Sequence, residues 1–155
     1  MADWVFDFEL EDDPDGEWIP LAVRMRLDLS GRKISLADWQ ALTPAAQHGL
    51  LAAPIATAAD VAAFARLLDD ELVNAGLERA RPLGAEKLDG VSVWRDARAV
   101  PDAVATELAA VGSSTLWPRL DLFGRYVVEA LARKRKRRDL AAAIAELGAR
   151  GRVKS

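Results

Sequence analysis

The 155-residue chain predicts a mainly α fold: a single compact helical domain of about six helices, with one or two short strands near the N-terminus and in the middle. Three observations carry this expectation. Apolar residues recur at i, i+3, i+4 and i+7 in most segments. Glycine and proline fall between those segments, where helices stop and start. The connections are short and no fixed-period repeat is present. A 51% hydrophobic, 29% charged composition with mean hydropathy near zero excludes wholesale disorder, and the length suffices for a core without disulfides or a structural metal.

From the N-terminus, Val5-Phe6-Asp7-Phe8-Glu9-Leu10 alternates apolar and acidic residues and reads as a short half-buried strand within an acidic segment, residues 1–18. Pro14-Asp15-Gly16 marks a turn. Residues 21–30, between Pro20 and Gly31, are ambiguous. Leu21, Val23, Met25, Leu27 and Leu29 alternate as in a strand, yet Leu, Met, Arg and Ala form helices well, and helix is favoured. Ser35 with Asp38 forms a capping box for a short helix carrying Leu36, Trp39 and Leu42. Thr43-Pro44 opens another that ends before Pro54, and Thr57 with Asp60 opens the best-defined helix, through Val61, Phe64, Leu68 and Leu72 to Gly76.

Residues 77–89 read as a loop, and Val91-Ser92-Val93-Trp94 as a second short strand. Pro101 starts a helix with Val104, Leu108 and Val111 on one face. Ser113 to Thr115 lead into a longer helix through Leu116, Leu120, Phe123, Val127 and Leu131, and Asp139 caps a last one with Leu140, Ile144 and Leu147. The domain is expected to span 1–149, with 150–155 a disordered tail.

Several chemistries are excluded or disfavoured. With no cysteine there is no disulfide framework, thiolate metal site, cysteine-ligated cluster or cysteine nucleophile, which fits a reducing, cytoplasmic setting. The sole histidine, His48, lacks a helical ligand partner, so no metal is expected. Gly-x-Ser-x-Gly, the Walker A motif and Gly-x-Gly-x-x-Gly are absent, and the acidic N-terminus lacks EF-hand spacing. Asp69 and Asp70 are adjacent on a helix and point to different faces, unlike an acid–base dyad. No catalytic residue, enzyme activity or cofactor is expected. The N-terminus lacks the basic and apolar regions of a signal peptide. Trp39 to Ala59 carries no Asp, Glu, Lys or Arg, but Pro44, Pro54 and its polar residues make it a poor membrane span.

The net charge of −3 conceals a polarity along the chain. Residues 1–18 hold eight acids and no Lys or Arg, whereas residues 119–155 hold eleven Lys or Arg against four acids. Arg133, Lys134, Arg135, Lys136, Arg137 and Arg138 form an unbroken basic run that could hold a nucleic-acid backbone. A solvated helix end is favoured, because no aromatic interleaving or reading helix accompanies it and the chain is acidic overall. Arg24, Arg26, Asp28, Arg32 and Lys33 make a second charged group, with Arg24 and Asp28 on one helical face. A surface ion pair is favoured there over an anion site. Of the five tryptophans, Trp39 has core spacing, whereas Trp4 and Trp18 flank the acidic stretch and are candidates for either local packing or partner contact.

The stretch VFDFELEDD followed by IPLAVRMRLDLSGRKISLADWQALTPAAQHGLL resembles the nitrate reductase-associated protein family, through Phe6, Phe8, Glu9, Ile19, Pro20, Val23, Arg24, Leu27, Asp28, Gly31, Lys33, Leu36 and Trp39. Trp117, Leu120, Arg125, Tyr126, Leu131, Ala143, Glu146 and Gly148 extend the likeness toward the C-terminus, with residues 77–100 the weakest part. The resemblance implies a small cytoplasmic, non-enzymatic protein that associates with assimilatory nitrate reductase and assists its maturation or assembly. It implies a partner surface using Arg24, Asp28, Lys33, Trp39 and Arg125. Relatives often carry cysteines where this chain has Trp18 and Ser30, so a thiol-based role does not transfer. The competing readings are a small regulatory or nucleic-acid-binding module using residues 133–138, and an anion or small-ligand sensor using the Arg24 group.

Overall fold

The computed structural model describes residues 2–91 and 93–155. They form two compact units, residues 1–89 and 90–155, and the mainly α class is realised: nine α-helices and one two-stranded antiparallel sheet among the described residues.

In the first unit, α1 spans Asp7–Asp12, where the apolar–acidic alternation predicted a strand. The reason lies in Glu9. One of its carboxylate oxygens accepts the N–H of Phe6 at 3.1 Å, and the other accepts the N–H of Leu21 at 3.0 Å. It thereby caps α1 and ties it to the start of α2, while Asp7 and Glu9 in the first turn oppose the helix dipole. Only Phe6 of the alternating set is fully buried, stacked on Phe8 and tilted against Trp4, and Leu10 is exposed.

The ambiguous segment is helix α2, Leu21–Leu29. Its left-handed stop at Gly31 leads into β1, Arg32–Lys33, which pairs with β2, Arg81–Pro82, in the register Arg32 to Pro82 and Lys33 to Arg81. The caps of the next three helices are those read from the sequence. Ser35 Oγ accepts from Asp38 N at 3.0 Å for α3 (Leu36–Ala41), Thr43 Oγ1 from Ala46 N at 3.1 Å for α4 (Pro44–Ala52), and Thr57 Oγ1 from Asp60 N at 3.1 Å for α5 (Ala58–Asn74). Helices α2 to α5 close over one core containing Val23, Leu27, Trp39, Leu50, Phe64, Leu68 and Leu72. The expected loop at 77–89 instead contains β2 and most of α6, Ala85–Val91. Glu86, Lys87 and Leu88 at the start of α6 are exposed, so no apolar period announces the helix.

The expected strand at 91–94 is not one where it is described. Val91 ends α6, Val93 and Trp94 lie in a turn, and Ser92 lies outside the described residues. The second unit then builds α7, Asp102–Ala110, followed by a 3-10 turn at Trp117–Arg119. The helix expected from residue 116 starts later, as α8 at Leu122–Arg133, because Pro118 lies in the 3-10 turn and Asp121 Oδ1 caps at Gly124 N, 2.8 Å away. The last helix, α9, is Arg137–Ala149, so Asp139 sits in its first turn and the cap position belongs to Lys136. Helix α8 packs between α7 and α9, burying Phe123, Val127, Val128 and Leu131 with Leu108, Leu140 and Leu147. Residues 150–155, read from sequence as a disordered tail, carry specific contacts. Val153 bridges Leu120, Lys154 N donates to Arg119 O at 2.8 Å, and Arg152 meets the second oxygen of Asp121 at 2.5 Å.

Candidate functional site

Arg24, Asp28 and Lys33 lie in the first unit, on α2 and the β1 strand that follows it. Arg24 is exposed and its Nε donates to Ile19 O at 3.1 Å, Asp28 is half-buried one helical turn later, and Lys33 is exposed. Trp39 is only 3% exposed and packs in the core, where its carbonyl oxygen accepts from Gln47 Nε2 at 2.9 Å. A side chain so placed supports α3 from within.

Arg125 belongs to the second unit and acts there as a three-way brace. Its Nε donates to Trp94 O at 2.9 Å, Nη1 to Leu120 O at 2.6 Å and Nη2 to Arg95 O at 3.3 Å. Burial pulls its pKa below the usual arginine value, and the carboxylates of Asp121 and Asp96 oppose that shift. The brace holds the 94–95 turn against α8, beside the edge-to-face contact of Trp94 with Tyr126 at 5.0 Å.

Sequence reasoning counted Arg26 in the charged group read as surface and missed that it is buried. It sits between Arg24 and Asp28, is 3% exposed, and forms an ion pair with Asp3 at 2.9 Å. Its Nε and Nη1 also donate to Ala53 O and Ala22 O, both at 2.9 Å. The available signal was helical phase: Val23, Arg26 and Leu27 are at i, i+3 and i+4, so Arg26 shares the core-facing stripe.

All six residues of the basic run are exposed, at the junction of α8 and α9. Arg133 pairs with Glu129 at 3.3 Å and Arg137 with Glu107 at 2.6 Å. The hydrogen bond from Arg137 holds the Glu107 carboxyl below its ordinary range, helped by the charges of Arg137 and Arg135 and opposed by desolvation. The same bond raises the pKa of Arg137. Trp18 is the exposed tryptophan, at 53%; Trp4, Trp39, Trp94 and Trp117 are buried. Asp13 fixes the Trp18 loop by accepting the N–H groups of Glu17 and Trp18, each at 2.9 Å.

An open cleft of about 400 Å³ lies between α4 and α5, lined by Gly49, Ala52, Pro54, Ala63, Phe64 and Leu67 among others. Its one carboxylate, Asp60, is engaged in the Thr57 capping box. Among the described residues, no three His, Cys, Asp or Glu side chains are grouped to hold a metal, and no helix is long and apolar enough to cross a membrane. The exposed charge lies at Arg24, Lys33 and residues 133–138, whereas Arg26 and Arg125 donate to carbonyls within the fold.

A family model described as conserved nitrate reductase-associated protein matches residues 5–147. No curated protein and no solved structure matches the chain.

Proposed function

Since the chain belongs to the conserved nitrate reductase-associated protein family, we propose that it is a cytoplasmic, non-enzymatic accessory protein that binds nitrate reductase and assists its maturation or assembly. The family match over residues 5–147 is the observation that carries this reading. The surface we assign to the contact is the exposed part of the first unit around Arg24, Asp28 and Lys33. Trp39 holds α3 behind that surface, and Arg125 stabilises the second unit.

Two measurements test the reading. Clean deletion of the gene lowers nitrate reductase activity while leaving reductase transcript unchanged; normal activity in the deletion strain refutes it. Tagged protein from nitrate-grown cells retains the reductase, and an Arg24→Ala/Asp28→Ala variant with an unchanged melting temperature retains less. Retention equal to wild type removes this surface from the proposal.

A further inference from the structure

The basic run sits on a backbone conformation that its sequence does not favour. Three helices of this chain end in the same cap, in which a left-handed residue donates to the carbonyl three residues back and its successor donates to the carbonyl five back. At the end of α5 these bonds are Gly76 N to Val73 O and Leu77 N to Leu72 O, at 2.9 Å each. After α7 they are Gly112 N to Ala109 O at 3.1 Å and Ser113 N to Leu108 O at 2.8 Å. After α9 they are Gly151 N to Gly148 O at 3.1 Å and Arg152 N to Leu147 O at 2.9 Å.

Helix α8 ends in this cap too, with Arg135 N to Ala132 O and Lys136 N to Leu131 O, both at 3.0 Å. Here the left-handed residue is Arg135, at φ 54°, the one non-glycine with positive φ among the described residues. A side chain in that region costs stability that glycine avoids, and an outlier of this kind marks a site where the side chain is used.

The cap turns the chain so that Arg133 to Arg138, all exposed, pass around one tight corner between two packed helices. Glu129 pairs with Arg133 and Glu107 with Arg137, and Asp139 follows in the first turn of α9, so the six basic residues of the corner outnumber these acids. The result is an exposed cationic corner held by the two bonds of the cap.

We propose that the Arg133–Arg138 corner docks an acidic polypeptide segment, with Arg135 held left-handed to present its guanidinium. Arginine forks match carboxylates bidentately. A nucleic acid fits less well. The run contains no aromatic residue on which bases could stack. That the acidic segment belongs to nitrate reductase rests on the function proposed above; the docking chemistry does not.

The test uses the full chain, as wild type, Arg135→Gly, and Arg135→Gly/Lys136→Ala/Arg138→Ala. The probes are purified nitrate reductase, a Glu-rich peptide and a single-stranded DNA of roughly twenty nucleotides, at low salt and at about 0.15 M NaCl. Arg135→Gly is expected to raise the melting temperature by roughly 2–4 °C while weakening reductase binding. The triple variant is expected to weaken it on the order of tenfold at low salt, and less as salt rises.

Stabilisation together with lost affinity is the signature of a residue kept for contact at the expense of the cap. Reductase binding that is equal in all three proteins overturns the docking corner and leaves the accessory reading standing. If the reductase does not bind but the peptide binds in a corner-dependent way, the docking chemistry stands and the partner reading falls. Binding of neither overturns both. DNA held at about 0.15 M NaCl where the peptide is not overturns the acidic-polypeptide assignment in favour of nucleic acid, and a lower melting temperature for Arg135→Gly overturns the strain argument.

Discussion

The Asp3–Arg26 pair is the sharpest test of how the first unit is held together. Arg26 is 3% exposed and directs three hydrogen bonds inward: to Asp3, to Ala22 O on its own helix, and to Ala53 O at the end of α4. Asp3→Ala removes the only one of these partners that carries a negative charge. Breaking a buried pair by deleting one member typically costs 3–5 kcal/mol. The two carbonyl bonds of Arg26 remain, so the lower end of that range, about 3 kcal/mol, is expected. Arg26→Met keeps the packed stem but takes the guanidinium from the buried Asp3 carboxylate and leaves Ala53 O without its donor, for roughly 3–4 kcal/mol. In Asp3→Ala/Arg26→Met both charges of the pair are gone, and the loss falls to about 1–2 kcal/mol, set by Ala53 O. The double variant is therefore more stable than either single, a coupling well beyond what independent sites show. Urea unfolding followed by circular dichroism, with the m-value checked for constancy, reads all four proteins. Single losses below about 1 kcal/mol, or a double variant whose loss equals the sum of the singles, refute the reasoning.

Three further outcomes follow from the same geometry. Glu107 has its folded pKa lowered below the ordinary 4.5, chiefly by the Arg137 hydrogen bond, so its stabilising effect is complete above that value and fades as pH falls through the lowered one. The melting-temperature gap between wild type and Glu107→Gln should accordingly be largest near neutrality and shrink in acid; a gap independent of pH contradicts it. Arg125→Met loses donors to Trp94, Leu120 and Arg95 carbonyls and should cost about 2 kcal/mol in denaturant, with a changed tryptophan emission reporting the freed Trp94 turn. Leu68→Ala, at a fully buried position of α5, should cost about 3 kcal/mol, measurable as a lower urea midpoint at unchanged m-value.

Much of the helical architecture was legible because local chemistry and tertiary packing agree. Ser35 with Asp38 and Thr57 with Asp60 form the boxes their spacing announces, and Gly31, Gly76 and Gly112 take the left-handed positions. The failures have definite causes. Residues 5–10 alternate with period two, but their outcome was decided by Glu9 reaching Leu21 N, a contact twelve residues away in sequence. The helix start at Leu122 was hidden because Leu116 and Leu120 fit a helical period and are buried, yet through the 3-10 turn that Pro118 occupies. Helix α6 opens on four exposed residues, 85–88, and strands of two residues carry too short a pattern to read.

The arginines bear most directly on how functional variants are chosen. As letters, Arg24 and Arg26 are equivalent members of one charged group, and Arg125 stands out only by resemblance. In the fold, Arg26 and Arg125 spend their donors on backbone carbonyls of their own unit, whereas Arg24 and Arg135 are exposed. A guanidinium whose forks are filled by internal carbonyls has little left to offer a partner. Loss of reductase association in an Arg125 variant therefore reports a loosened second unit unless its melting temperature is unchanged. Loss in Arg135→Gly, a change expected to stabilise the cap, has no such structural explanation. For this chain the informative contact variants are those that leave the fold equally stable or make it more so.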